Sequence, residues 1–217
     1  MKIFDIILQI WILIFLNNIC SAQAPLKGYE MVLESSQIRE KFSAASNSIN
    51  SFKADMTQEK HLKMLQDKLT SKGLFYYQKE NKIRIEYVTP FKYLMVINGA
   101  KIAIKDNNDK MTKIDAGNNA IFKQINSLMI DCIKGSFLAN KDFSIALFQN
   151  KEYYLFQLTP VKKGLKDFFS TIQIFVFKSD YSIQKLVLKE NGGDFTIIHF
   201  SNKNINLALP ASLFNTN

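Results

Sequence analysis

The stretch Gly73–Lys105, GLFYYQKENKIRIEYVTPFKYLMVINGAKIAIK, decides the fold of this chain because it reads as consecutive β-strands joined by tight turns. The turn candidates are Glu80-Asn81-Lys82, Thr89-Pro90 and Asn98-Gly99. An Asn-Gly pair between apolar runs is a strong hairpin signal, because both residues tolerate positive φ angles. The stretch therefore predicts four successive strands of an antiparallel sheet.

A two-residue loop at Asn98-Gly99 gives the last of these hairpins a definite predicted pairing. The expected partners are Ile97 with Ala100, Met95 with Ile102, and Tyr93 with Ile104. These side chains share one face, and the other face carries Leu94, Val96, Lys101, Ala103 and Lys105. This alternation is typical of an antiparallel sheet with one buried face.

The first hairpin allows two registers, and the apolar pattern favours one of them. A two-residue loop would place Gln78 opposite Ile83 and mix polar with apolar residues. A three-residue loop at Glu80–Lys82 separates the faces, because a slip by one residue reverses every side chain. One face then holds Phe75, Tyr77, Ile83, Ile85 and Tyr87, with Lys79 at its rim, and the other holds Leu74, Tyr76, Gln78, Arg84 and Glu86.

The remaining elements are predicted from periodicity. Apolar residues at three- and four-residue steps predict helices over Ser36–Phe52 and Asn118–Ile133, and the second presents a broad apolar face that includes Phe122, Ile125 and Met129. It is either an ordinary core helix or a movable lid over a cavity. Strands are expected at Phe52–Leu62, Lys110–Ile114, Phe143–Phe148, Tyr153–Thr159, Ile172–Phe177, Ser182–Lys189 and Phe195–Phe200.

The N-terminus has the composition of an export signal. Lys2 precedes an apolar run, Ile6–Leu16, which is too short for a transmembrane helix. Cys20-Ser21-Ala22 is an acceptable cleavage site, so we expect a signal peptide at 1–22 and a single domain at 23–217. Because Asn17-Asn18-Ile19 is a poor lipobox, no acyl group is expected on Cys20, and a periplasmic protein is predicted.

Composition argues for a binding protein. The net charge is +9, but lysines alternate with acids and with apolar strand residues, so we expect no nucleic-acid partner. The chain has two histidines and shows no metal-binding spacing or phosphate loop. Cys132, the cysteine left after cleavage, lies on an apolar helix face. The sequence therefore predicts no enzyme, no cofactor and no metal site.

A series of short motifs resembles the LolA family of periplasmic outer-membrane lipoprotein carriers. The motifs are Ser51-Phe52-Lys53-Ala54-Asp55-Met56-Thr57-Gln58, Lys72-Gly73-Leu74-Phe75-Tyr76-Tyr77, Tyr87-Val88-Thr89-Pro90, Ile97-Asn98-Gly99 and Leu158-Thr159-Pro160. Each is weak alone, and the order and spacing together are specific. The resemblance implies a mainly β (α+β) fold, an unclosed antiparallel β-barrel with helices covering its concave apolar face.

The resemblance also implies a function. A monomeric carrier would bind the acyl chains of lipoproteins, receive them from an inner-membrane ATP-driven release complex, and deliver them to an outer-membrane acceptor or to the membrane itself. The cavity would be lined by Phe75, Tyr77, Ile83, Ile85, Tyr87, Tyr93, Met95, Ile102 and Ile104. Phe122, Ile125 and Met129 would belong to a lid helix.

One departure from the family pattern concerns Lys79-Glu80, which stands where the family has a basic residue followed by proline. Lys79 is the candidate lid latch, expected beside the helix Asn118–Ile133. Other readings stay open: a carrier or sensor of another lipid or glycolipid, a signalling protein that recognises lipoproteins, and a hydrolase on a similar sheet.

Overall fold

The computed structural model describes residues 26–115 and 120–216, with side chains from residue 127 onward in the second range. The N-terminal segment 1–22, predicted as a signal peptide, lies outside the described residues. The strands are β1 (Glu30–Met31), β2 (Ser51–His61), β3 (Leu69–Gln78), β4 (Lys82–Thr89), β5 (Tyr93–Asn98), β6 (Lys101–Lys105), β7 (Met111–Asp115), β8 (Phe143–Gln149), β9 (Tyr153–Pro160), β10 (Phe169–Phe177), β11 (Ile183–Glu190) and β12 (Phe195–Ile205).

The described helices are short and few. They are α1 (Ser36–Asn47), α2 (Ala120–Lys134) and α3 (Leu165–Phe168), with 3₁₀ turns at Ser136–Ala139 and Ala211–Phe214. Within the described residues, every helix is too short or too polar to cross a bilayer. The helix predicted over Ser36–Phe52 ends at Asn47, because Phe52 belongs to β2.

All described strands form one sheet of 12, in the order β1-β8-β9-β10-β11-β12-β2-β3-β4-β5-β6-β7. Every neighbouring pair is antiparallel. The sheet has β1 at one edge and β7 at the other, so it is open. Together with helices on one face, this is the mainly β, unclosed architecture that the family resemblance implied.

In both hairpins of the deciding stretch, the predicted faces are correct and the predicted partners are wrong. Tyr77 pairs with Ile83, so the loop is 79–81. Asn98 pairs with Lys101, so the second loop is 99–100. Each ladder is displaced by two residues, and a shift by two keeps every side chain on its face. The apolar pattern therefore could not detect the error.

Gly73 lies where β3 and β4 come unusually close. The register shifts between Lys72 and Gly73 opposite β4, as in a β-bulge. A Cβ atom on Gly73 would stand 1.9 Å from the backbone oxygen of Glu86. Only glycine fits this approach, which brings the middle of β3 against β4.

The sheet buries apolar residues on both faces. We call the face that α1, α2 and α3 cover the inner face, and the other the outer face. In the order of the sheet, the inner-face core is continuous from β8 to β6 and includes Phe75, Ile83, Phe156, Ile172 and Phe200. The outer face holds two smaller clusters. The prediction of one buried face is therefore correct for the main core and incomplete for the whole sheet.

Candidate functional site

The side chains predicted to line a cavity all lie on the inner face, because their cross-strand partners share that face. The set divides along the strands. Those near the β3–β4 turn and the middle of the sheet are buried: Phe75, Tyr77, Ile83, Ile85 and Ile102. Those at the opposite ends of β4 to β6 are half-buried: Tyr87, Tyr93, Met95 and Ile104. The structure thus brings the set together, with its open end near Tyr87 and Tyr93.

Aromatic side chains join the helices to the inner face. Phe42 of α1 lies 5.0 Å from Phe156 of β9 and 5.6 Å from Phe137, measured between ring centroids. Phe137 and Phe156 are 5.5 Å apart. Such tilted and edge-on pairs contribute about 0.5–1.5 kcal/mol each beyond their burial. These contacts are apolar and carry no directional hydrogen bonds, so another apolar group can replace them.

A second aromatic group belongs to the sheet itself. Phe52, Phe75 and Phe200 have centroid distances of 5.4–6.1 Å. Beside them is an enclosed apolar cavity of about 20 Å³, which is on the scale of one water molecule. It is lined by Ile49, Phe52, Ile133, Ser182, Ile183, Leu186, Phe200 and Ile205. An acyl chain cannot enter this cavity unless α2, which contributes Ile133, moves.

Two tyrosine hydroxyls introduce polarity into this apolar site. The Tyr77 hydroxyl is buried and has no hydrogen-bond partner in the described part of the chain; burial raises its pKa. The Tyr87 hydroxyl donates to Gln58 Oε1 at 2.7 Å, and burial raises its pKa to about 12. Both phenols are therefore neutral at physiological pH, and Tyr77 keeps an unused donor against the core.

The residues named for the lid helix lie in α2, and one of them has a described side chain. Met129 is half-buried and packs against the inner-face core, whereas the side chains of Phe122 and Ile125 fall outside the described residues. Leu128, Cys132 and Ile133 of α2 are buried in the same core. Burial, with Asp131 nearby, raises the pKa of the Cys132 thiol, which keeps it protonated. This is the chemistry of an inert packed cysteine.

Lys79 contacts a helix end, but not the predicted one. Its Nζ donates to the backbone oxygen of Asn47 at 3.3 Å. Asn47 is the last residue of α1, so the helix contact of Lys79 is made with α1, and the expected position beside Asn118–Ile133 stays a prediction. The side chain is exposed. A cation at a helix C-terminus interacts favourably with carbonyls that lack intrahelical partners.

Sequence reasoning missed the apolar clusters of the outer face. One contains Phe148, Leu155, Phe175 and Val187, with Tyr29 packed against it. In the same region Gln173 donates to Gln157 at 2.9 Å, and both are buried. The near-continuous apolar runs of β9 and β10 were a usable signal, since strands buried on both faces lose their alternation.

A second outer-face cluster is made by the C-terminal segment. Phe214 is buried against Tyr76 and Val96. The Asn98 side chain donates to the backbone oxygen of Phe214 at 3.2 Å, and Arg84 Nη1 donates to that of Leu213 at 3.3 Å. No local pattern at residues 211–216 predicts this docking.

Reactive side chains are dispersed. The described residues hold no group of three potential metal ligands. His61 stacks on Phe195 at 4.2 Å, whereas His199 pairs across the sheet with Lys185 and Thr57. Asp180 accepts a hydrogen bond from the Ser182 backbone at 2.9 Å, a common role for aspartate in a turn.

The family model described as outer membrane lipoprotein carrier protein LolA matches residues 47–217. This chain belongs to the LolA family. Its match to the family covers every strand from β2 onward. No curated protein matches the chain by sequence.

Solved structures resemble this chain in their fold. MucB is 12% identical, with a TM-score of 0.50 over 84% of this chain and 63% of that chain. The LolA superfamily protein NE2245 from Nitrosomonas europaea is 10% identical, with a TM-score of 0.44 over 85% of this chain and 98% of that chain. At such identities the similarity concerns the fold alone.

Proposed function

We propose that this protein is a periplasmic carrier that binds the acyl chains of lipoproteins between the inner face and its covering helices. The observation that carries the proposal is the continuous apolar inner face in a chain of the LolA family. The carrier domain would comprise residues 23–217 after removal of a signal peptide at 1–22.

The energetics allow the contacts between the helices and the sheet to be replaced by contacts between an acyl chain and the sheet. α1 and α2 bury apolar side chains such as Phe42, Leu128 and Ile133 against the sheet. Each methylene buried from water contributes about 0.8 kcal/mol, so an acyl chain can replace these contacts at little net cost. Because the hydrophobic effect is non-directional, the same face would accept chains of different length.

The test is site-specific photo-crosslinking at two adjacent positions of β5. Met95 faces the inner side and Leu94 the outer side, and both are half-buried. A photoreactive amino acid in place of Met95 should capture fatty-acid-labelled lipoprotein in cells that export the protein. The same residue in place of Leu94 should capture none. Equal capture at both positions, or capture at neither by a folded protein, would refute the proposal.

A further inference from the structure

The loop between β2 and β3, residues 62–68, exposes apolar side chains at its tip. Met64 is 95% exposed and Leu65 is 52% exposed, and Leu69 at the beginning of β3 is 56% exposed. Met64 and Leu65 lie in the loop beyond the paired residues of β2 and β3, whereas Leu69 pairs with Lys60 and lies on the inner face. Neighbouring exposed apolar residues of this kind are typical of interaction sites.

The loop projects beyond the neighbouring strand. β2 and β3 pair as far as Lys60 with Leu69, whereas β4 stops pairing with β3 at Lys72. Three residues of β3 therefore extend past β4, roughly 10 Å at the rise of a strand. The exposed Phe91, in the turn after β4, lies at the same end of the sheet.

Contacts on the other side hold the protrusion in place. The backbone N–H of Lys63 donates to Asp194 Oδ1 at 2.9 Å, and Lys60 forms an ion pair with Glu190. Both acids flank the turn between β11 and β12. The base of the loop is therefore fixed to the sheet, while Met64 and Leu65 face solvent.

The charges around the tip favour an anionic surface. Lys63, Lys68 and Lys72 surround the apolar residues. The acids nearby are Asp67 in the loop, Glu59, which pairs with Lys68, and Asp194, which accepts from the backbone of Lys63. Within the described residues, no ion pair engages the ammonium groups of Lys63 and Lys72. Lys68 Nζ contacts Glu59 at 2.6 Å and keeps its long side chain exposed. Lysine stems can lie along apolar groups while their ammonium groups reach lipid phosphates. A flexible methionine and a leucine at this tip suit shallow insertion between lipids. A fluid bilayer can accept such protruding side chains without a preformed pocket, whereas a protein partner would need one of matching shape.

We propose that the β2–β3 loop docks this protein on anionic phospholipid membranes, with Met64 and Leu65 inserted among the lipids and the lysines at the headgroups. This docking concerns the empty protein and does not depend on the proposed cargo. It would place the carrier at the bilayer from which a lipoprotein is taken or to which it is given.

Flotation of the exported chain with vesicles tests the proposal. Binding to vesicles of phosphatidylcholine with phosphatidylglycerol should exceed binding to phosphatidylcholine alone. The double variant Met64→Asp/Leu65→Asp should lose about tenfold or more in partitioning. Leu33→Asp is the matched control, because Leu33 is 85% exposed and lies outside the loop; it should bind as the wild type does.

A fluorescence measurement gives an independent readout. The single tryptophan of the chain, Trp11, belongs to the predicted signal peptide. After its removal, the tryptophan introduced by Met64→Trp should be the fluorescent reporter in the exported chain. Its emission should shift to the blue with anionic vesicles, and that of Leu33→Trp should not. Absent vesicle binding, or equal binding by Met64→Asp/Leu65→Asp, would overturn the docking proposal and leave the crosslinking result at Met95 untouched.

Discussion

At the scale of single residues, Lys79 offers the sharpest test of how the helices are held. Its hydrogen bond to Asn47 couples the β3–β4 turn to the end of α1. An exposed interaction of this kind is worth about 0.3–1 kcal/mol, or a factor of roughly two to five in an equilibrium constant. Lys79→Met should leave the protein folded and strengthen lipoprotein loading by about that factor, measured with purified components.

The control for Lys79→Met is Lys82→Met, at the first residue of β4 after the same turn. Lys82 also carries a positive charge, but its Nζ contacts Glu80 at 3.1 Å rather than a helix. It should load as the wild type does. If both variants change loading equally, the effect is one of net charge, and Lys79 is no latch.

Tyr77 provides a second residue-scale prediction. Its buried hydroxyl lacks a partner within the described residues, and an unsatisfied buried polar group costs about 1–3 kcal/mol. Tyr77→Phe should therefore raise the free energy of unfolding, by about 1 kcal/mol in urea denaturation. It should also weaken loading for two reasons. The closed, empty state becomes more stable, and the carbonyl groups of the cargo lose a hydrogen-bond donor. Lower stability would show that the hydroxyl has a bonding partner after all.

At the scale of elements, Gly135 controls how α2 meets α1. Its φ is 68°, and an added Cβ would lie 3.0 Å from Ser46 Oγ and 3.1 Å from Phe42 Cε1. Placing a residue with a Cβ atom in the left-handed conformation costs roughly 1–2 kcal/mol. Gly135→Ala should lower the free energy of unfolding by more than this cost, because the added Cβ also crowds α1. Gly99→Ala separates the two causes, because Gly99 has φ 60° with no atom within 4 Å of the added Cβ. An equal decrease in the free energy of unfolding for the two variants would mean that Ser46 and Phe42 move aside without cost.

The elements also show where sequence reasoning succeeds and fails. The faces of β3 to β6 followed from alternation, because burial acts on each side chain locally. The strand register did not follow from alternation. A shift of the register by two residues keeps every side chain on its face, so only the backbone conformation of the turn selects the register. Here Glu80 and Asn81 both take positive φ values, 71° and 61°, which sequence alone did not assign to them. The edge strand β1 was missed because two residues show no period.

The candidate site was predictable to a similar extent. Its apolar lining was predicted from the same alternation of side chains. Its interpretation as a ligand site depended on the family resemblance. The partner of Lys79 and the docking of Phe214 on the outer face were not predictable, because both join segments distant in sequence. Such contacts depend on the assembled sheet rather than on a local pattern.

At the scale of the whole molecule, the sheet and its covering helices are held differently. The strands share continuous ladders from β1 to β7, whereas α1 and α2 are attached mainly through apolar side chains. Elements with few hydrogen bonds to their surroundings open at lower free energy than the strands of a sheet. We therefore expect α2 to leave the inner face without unfolding of the sheet.

Cys132 reports this opening. It is buried in the core on α2, and its raised thiol pKa further slows its reaction with a thiol reagent. In the exported chain, labelling should be slow without cargo and should accelerate when a lipoprotein or a single-chain lipid binds. The rate should depend only weakly on urea, because local opening exposes less surface than unfolding. A rate unaffected by lipid, with the full urea dependence of global unfolding, would show that α2 is a fixed part of the core.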